Sequence, residues 1–239
     1  MSASPLVTVL LPVWNGASLP LTAEGEEPLR VAIRSLARQE AAPDAPVPGF
    51  EVLAVDDGST DGTAALLDAL AAEYPCLRVL HRPHEGLPGA LNAGLEAARG
   101  ALIARMDADD VCHPQRLALQ AAWMAEHPET GLLATRVHFG GDRETARGFA
   151  HFVDWQNGLL DHEAISRNRF RDTPVSHPSV MFRRELPRLH GGYADGFFAE
   201  DWELWLRWLH AGMRMAKLPQ ELLVWNDPPR RATRSDSRY

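Results

Sequence analysis

Residues 6–11, 50–55, 77–80 and 101–106 are four short apolar runs, and a stretch of helical spacing or helix-forming composition separates each from the next. The first, Leu6-Val7-Thr8-Val9-Leu10-Leu11, is apolar or β-branched throughout and stops at Pro12. Successive side chains of a strand point to opposite faces, so a run with no polar alternation fits a strand covered on both sides, as in a parallel sheet. Between the runs, Leu29, Ile33 and Leu36 recur at helical spacing behind Pro28, a residue suited to a first turn. Residues 63–73 are rich in alanine and leucine, and residues 89–99 read as a helix closed by Gly100 in the left-handed position. Pro114 opens a further helix through Leu117, Ala121 and Met124, whereas residues 41–49, with three prolines and a glycine, read as a surface loop. This order predicts an α/β fold with a mostly parallel, Rossmann-like sheet flanked by helices.

Ligands of such sheets bind beyond the carboxyl ends of the strands. Three predicted strands end there in polar signals: Pro12-Val13-Trp14-Asn15, Asp56-Asp57-Gly58 and Asp107-Ala108-Asp109-Asp110. The last sets three carboxylates within four positions. Carboxylates repel one another and resist burial, so the cluster calls for a compensating cation. An oxygen-only donor set suits Mg2+ or Mn2+, which bind through one or two carboxylates and the phosphates of a substrate. A solvated acidic turn is the plain alternative. Convergence of three strand ends favours a site for a diphosphate-bearing substrate.

The second half is less regular. Residues 130–139 suggest a strand and residues 140–142 a turn, while residues 143–171 show no readable pattern. Prolines forbid a long helix in residues 173–182 before a short apolar strand. Residues 199–211 predict a helix with Trp202, Trp205, Leu206 and Leu209 on its apolar face and Gly212 as its stop. Glu200 and Asp201 fall in its first turn, where the helix dipole favours negative charge, and taken alone they read as ordinary capping carboxylates.

Composition excludes several classes. A net charge of -8 argues against a nucleic-acid partner, whose recognition needs a basic footprint. No apolar run reaches membrane-span length, and the N-terminus lacks a basic segment followed by an apolar one. Cys76 and Cys112 form no disulfide framework, so a reducing cytoplasmic setting is expected. Lys217 is the only lysine, which leaves Schiff-base chemistry no other nucleophile. Arg230, Arg231, Arg234 and Arg238 make residues 226–239 an arginine-rich tail that could touch the inner face of a membrane.

Taken in order, these motifs resemble family 2 glycosyltransferases of the GT-A fold. The likeness rests on Pro12 to Asn15, on Val55 to Thr63, on Leu91-Asn92-Ala93-Gly94-Leu95 with Ala98-Arg99-Gly100, and on Asp107 to Asp110. His177-Pro178-Ser179 and Glu200-Asp201-Trp202-Glu203-Leu204-Trp205-Leu206-Arg207 continue it. The resemblance implies one domain over residues 1–225, with residues 1–112 as the nucleotide-sugar-binding half and residues 113–225 as the acceptor side. It further implies inverting transfer from a nucleotide diphosphate sugar, with UDP expected, to a glycan or lipid-linked acceptor. Asp109 and Asp107 would hold Mn2+ or Mg2+, with Asp110 a lesser ligand and Ala108 beside the donor. Asp57 would read the base edge with help from Asp56, and Pro12, Asn15 and Asn92 would shape the donor pocket. Asp201 would be the general base with Glu200 beside it, and His177 and Arg207 would contact phosphates or acceptor.

Residues 18–28 and 41–48 depart from the family pattern as surface insertions. Three rivals stand beside this reading: a non-catalytic calcium-binding module, a sugar nucleotidyltransferase, and a degenerate binder that keeps the sugar nucleotide without transfer, against which intact Asp109 and Asp201 argue. Asp57, Ser59, Asp61, Gly62 and Asp68 match positions of a calcium loop, although a glutamate is wanted last and a strand precedes the segment. A sugar nucleotidyltransferase would need a glycine-rich basic loop, and Pro12-Val13-Trp14-Asn15-Gly16 has no basic residue.

Overall fold

A computed structural model describes residues 4–227 of the chain. Its strands are β1 (Val7–Val13), β2 (Phe50–Asp57), β3 (Leu77–Arg82), β4 (Leu102–Arg105), β5 (Val111–Cys112), β6 (Thr130–Phe139), β7 (Met181–Arg183) and β8 (Arg214–Trp225). They form one sheet in the order β3-β2-β1-β4-β7-β6-β8-β5. Strands β1 to β4 are mutually parallel, as the strand–helix alternation predicts. Beyond β4, β7 is antiparallel to both β4 and β6, while β8 runs parallel to β6 and carries β5. The second half therefore extends the first half's sheet.

The helices are α1 (Pro28–Ala37), α2 (Thr63–Glu73), α3 (Gly86–Ala97), α4 (Arg116–Glu126), α5 (Arg147–Asn157), α6 (His162–Asn168), α7 (Leu186–His190) and α8 (Glu200–His210). All seven residues of β1 are buried, and their alternation splits the core into two layers. Val7, Val9, Leu11 and Val13 pack with Leu29, Ile33 and Leu36 of α1, whereas Leu10 packs with Leu91 of α3 and Trp205 of α8. Each fully buried aliphatic side chain contributes about 1.5–3 kcal/mol, so the sheet is held mainly by these two layers.

Four expectations are corrected. Helix α3 starts earlier than residue 89, and Gly100 is not its left-handed cap; a Cβ there would lie 2.4 Å from the Thr8 nitrogen, so close approach to β1 demands the glycine. The loop over residues 41–48 is only partly a surface feature, because Ala42 and Ala45 pair with each other and are buried against Ala118. Residues 143–171, without a pattern in sequence, contain α5 and α6. On α8 the buried face is Leu204, Trp205 and Trp208, while Trp202 and Leu206 line an outer groove with Phe198 and His210. The Trp202 Nε1–H donates to the Arg169 carbonyl at 2.7 Å. The arginine-rich tail falls outside the described residues, apart from its first two positions.

A buried polar clamp fixes the strand ends around the site. Arg116 is fully buried, and its Nη2 donates to the carbonyls of Arg105 at 2.8 Å and Val180 at 3.3 Å. Its Nε donates to Gln120 Oε1 at 3.0 Å, and Gln120 Nε2 donates in turn to the carbonyls of Leu133 and Ser179 at 2.9 and 3.0 Å. Helix α4 thereby ties β4 and β6 to the 3-10 turn His177–Ser179.

Candidate active site

The ends of β1 and β2 are stitched to each other. Asn15 adopts the left-handed region with φ 51°, and its Oδ1 accepts the Thr60 N–H at 2.9 Å while its own N–H donates to Ser59 Oγ at 2.9 Å. Asp56 is buried; its Oδ1 accepts the Ser59 N–H at 3.1 Å and its Oδ2 lies 2.9 Å from His81 Nδ1. Burial alone would push the Asp56 carboxyl up, but the hydrogen bonds from Ser59 and His81 outweigh it and hold it below the usual range. Asp57 is equally buried, with Oδ1 accepting from Glu85 N at 2.8 Å and Oδ2 from Gly86 N at 2.9 Å. These N–H groups open α3, the end of a helix that favours an anion. His84 Nδ1 is 2.8 Å from Asp57 Oδ2, and its ring stacks on the exposed Trp14 with centroids 4.9 Å apart. Pro12 is buried opposite Val55 in the ladder and keeps this end of β1 in place.

At the end of β4 the carboxylates have fewer donors. Asp107, Asp109 and Asp110 offer ligand oxygens that all lie within 4.8 Å of one another. Asp107 is reached by Arg105 Nη2 at 2.5 Å. Asp110 is almost wholly buried; its Oδ1 accepts the Asn226 N–H at 2.9 Å and its buried Oδ2 has no hydrogen-bond partner among the described residues. Burial first, then the charges of Asp107 and Asp109, push the Asp110 carboxyl well above the ordinary carboxylate range. Asn226 also donates through Nδ2 to the Asp109 carbonyl at 2.6 Å, so the end of β8 closes over the loop. An orphaned oxygen between two like charges fits a hard divalent cation, which would satisfy all three carboxylates.

The start of α8 brings the second acidic group. Glu200 is buried with Oε1 3.6 Å from His177 Nδ1, and His177 Nε2 lies 2.8 Å from the Tyr193 hydroxyl. Asp201 is half-buried and its Oδ1 accepts the Trp202 N–H at 2.7 Å. Burial raises the Asp201 carboxyl; His177 opposes the shift and Glu200 adds to it. Arg105, only 3 % exposed, acts electrostatically on Asp107, Tyr193, Glu200 and Asp201 together. It bridges the β4 cluster and the α8 start.

The structure thus gathers Asp107, Asp109 and Asp110 at one strand end and connects them through Arg105 to Glu200, Asp201 and His177. Two expected ligand contacts are committed elsewhere. The Asn92 amide donates to the Tyr193 carbonyl at 2.8 Å and accepts the Tyr193 N–H at 2.9 Å, so it anchors that loop to α3. Arg207 donates to both Glu203 oxygens at 2.8 and 2.6 Å and to the carbonyls of His190 and Gly192 at 2.6 and 2.8 Å. The calcium-loop positions diverge: Asp57 faces α3, Asp61 accepts from Ser18 and Thr63, and Asp68 faces His81. Arg105, Tyr193 and His84 were missed, and Trp14 was read only as part of a strand-end motif. Arg105 at a strand end looks like an ordinary solvent-facing cation in sequence, and the others carry no spacing signal.

Comparison with known proteins accords with this geometry. The family model described as Glycosyl transferase family 2 matches residues 8–187. The amylovoran biosynthesis glycosyltransferase AmsE of Erwinia amylovora is 29% identical over 224 residues, covering 91% of this chain and 75% of that protein. An Escherichia coli UDP-Gal:alpha-D-GlcNAc-diphosphoundecaprenol beta-1,3-galactosyltransferase is 27% identical, covering 82% of this chain and 67% of its own length. Among solved structures, S. aureus TarS 1-349 in complex with UDP-GlcNAc superposes with a TM-score of 0.73 at 19% identity over 96% of this chain. Mannosyltransferase PcManGT from Pyrobaculum calidifontis in complex with GDP-Man and Mn2+ gives 0.69 at 22% identity over 96% of this chain. The chain spans about 60% of the length of these two structures. With the GT-A fold shared and the family match covering most of the sequence, the chain belongs to glycosyl transferase family 2.

Proposed function

We propose that the protein is a metal-dependent, inverting glycosyltransferase that moves a sugar from a nucleotide diphosphate donor, UDP-linked by preference, to a glycan or lipid-linked acceptor. One observation carries this reading: three carboxylates at the end of β4 converge within 4.8 Å and leave a buried oxygen of Asp110 without a partner. Mn2+ or Mg2+ held there by Asp109 and Asp107, with Asp110 behind them, would neutralise charge on a departing nucleoside diphosphate. The structure neighbours described with UDP-GlcNAc and with GDP-Man and Mn2+ support donor and metal class.

The remaining chemistry falls to the chain's own residues. Asp57, fixed by the N–H groups of α3, presents a rigid carboxylate edge for the base, with the Trp14 and His84 rings as a wall. Asp201 takes the proton of the acceptor hydroxyl as that oxygen attacks the anomeric carbon and the carbon–phosphate oxygen bond breaks on the opposite side. A single base suits one displacement with inversion, and its raised pKa makes it a stronger acceptor of that proton. His177 and Glu200 hold the base's surroundings through the Tyr193 hydroxyl. Residues 1–112 serve the donor and residues 113–225 the acceptor, a division consistent with the positions of Asp57 and Asp201. A lipid-linked acceptor is supported by the diphosphoundecaprenol named for the Escherichia coli relative. No helix of the described residues is long and apolar enough to cross a membrane, and a peripheral contact through the arginine-rich tail is part of this reading.

The test is a thermal-shift panel of UDP- and GDP-sugars with and without Mn2+. One donor should raise the melting temperature, and chelation should abolish the rise. Stabilisation by no nucleotide sugar, with or without metal, would sink the proposal.

A further inference from the structure

We propose that Arg105 reads the transferred sugar itself and restricts the donor to neutral sugars; this rests on the donor class proposed above. Arg105 ends β4 on the same face as Ile103, two residues earlier, which packs in the layer containing Leu10 and Trp205. Its guanidinium is therefore carried below the acidic loop and toward α8. Only Nη2 has a partner there, Asp107 Oδ1 at 2.5 Å. The Nε and Nη1 donors are buried and without any hydrogen-bond partner among the described residues. A buried arginine that keeps two donors unmet is costly in a native fold, and the natural remedy is a bound acceptor.

The neighbours decide which acceptor. Asp107, Glu200 and Asp201 all lie close enough for their charges to act on or with Arg105, and the Tyr193 hydroxyl is beside them. With Asp107 already paired to the guanidinium, a carboxylate on the sugar would meet an excess of negative charge. Hydroxyl oxygens meet no such penalty, and two of them can each accept one of the free donors, which leave the guanidinium from different edges. The donor sugar is thus a neutral hexose or N-acetylhexosamine lying between the β4 cluster and the start of α8, with its hydroxyls on Nε and Nη1 of Arg105.

Titration calorimetry with Mn2+ tests this on the whole chain, using UDP, UDP-glucose, UDP-N-acetylglucosamine and UDP-glucuronate. Arg105→Lys keeps a cation for Asp107 but lacks the Nε and Nη1 donors. It should bind UDP within about 2-fold of wild type, while the ratio of the affinity for the better neutral donor to that for UDP falls about 10-fold. An unchanged ratio in a folded Arg105→Lys protein overturns the assignment and leaves the donor class standing. Should the variant not fold, the wild-type comparison decides: UDP-glucuronate should bind about 10-fold or more weakly than the better neutral donor, and equal or tighter binding overturns the proposal. Wild-type protein that binds none of the four overturns the donor class and the Arg105 role together.

Discussion

The loop after β2 and the loop after β4 are built from the same residue type to opposite effect. After β2, Asp56, Asp57 and Asp61 each find backbone N–H, hydroxyl or imidazole partners, and Asp56 and Asp61 are held below the usual carboxylate range against the opposing pull of burial. After β4, Asp110 is buried with an orphaned oxygen beside two like charges and is pushed up. Asp201 on α8 is pushed up as well. A carboxylate with enough local donors stabilises its own loop. One without them costs stability until a ligand supplies the missing charge, and that contrast separates the loop that is satisfied by the protein from the one that calls for a cation.

The largest effect that could break this contrast is at Asp201. Asp201→Asn should leave binding of a nucleotide sugar in place and lower transfer by about 10²- to 10⁴-fold, read as single-turnover product formation. Because burial raises this carboxyl, the acid limb of the wild-type rate profile should sit above the ordinary aspartate range, with activity rising as pH increases through it. Transfer by Asp201→Asn at near wild-type rate would remove the base from the mechanism.

Asp109→Ala is next, at about 10²- to 10³-fold in rate, accompanied by loss of the Mn2+ dependence of donor binding. Retained metal stimulation would mean that the cation sits elsewhere.

Lys217 sharpens the comparison from the cationic side. Its Nζ donates to the carbonyls of Gln156 and Pro174, yet burial lowers its pKa to about 7. The native value lies below the unfolded one, so between about pH 7 and 10.5 the unfolded chain binds more protons. Wild-type stability relative to Lys217→Met should therefore rise with pH across that window, by on the order of 3 kcal/mol in denaturant melts. A flat difference would show that Lys217 stays charged in the folded protein.

The smallest effects make the most direct test. Asp57→Asn removes one of two charge-assisted contacts at the start of α3 and should destabilise by about 2 kcal/mol. Asp110→Asn keeps an acceptor for Asn226 while relieving repulsion, and in metal-free buffer should stabilise by about 1 kcal/mol. Chemical denaturation of both variants gives the two signs. Destabilisation of equal size at both positions would erase the distinction between the loops.

Much of this arrangement could be read from residue order. The polar stretches that follow the apolar runs of β1, β2 and β4 were visible because apolar residues give way abruptly there, although β1 runs through Pro12 to Val13 and does not stop at the proline, and Pro28 placed α1 correctly. The inward face of α8 was misread because Trp202 and Leu206 are as apolar as Leu204 and Trp208, so periodicity offered two faces and only packing chose. Asn92 and Arg207 were taken for ligand contacts, but the Gly191 to Tyr193 loop that occupies them is distant from Asn92 in sequence. Arg116, fully buried, could not be singled out from sequence, since beyond Gln120 on its own helix its partners are the remote carbonyls of Arg105 and Val180.

By itself the order of residues determined the strand–helix alternation, the sheet edge where polar loops collect and the acidic cluster that asks for a cation, because each depends on neighbours a few positions apart. Folding decided which carboxylates find donors, which face of α8 is buried and that Arg105 stands between Asp107 and the α8 acids. Those outcomes depend on backbone groups from remote segments meeting in a water-poor interior, where one missing or added partner reverses the sign of an interaction.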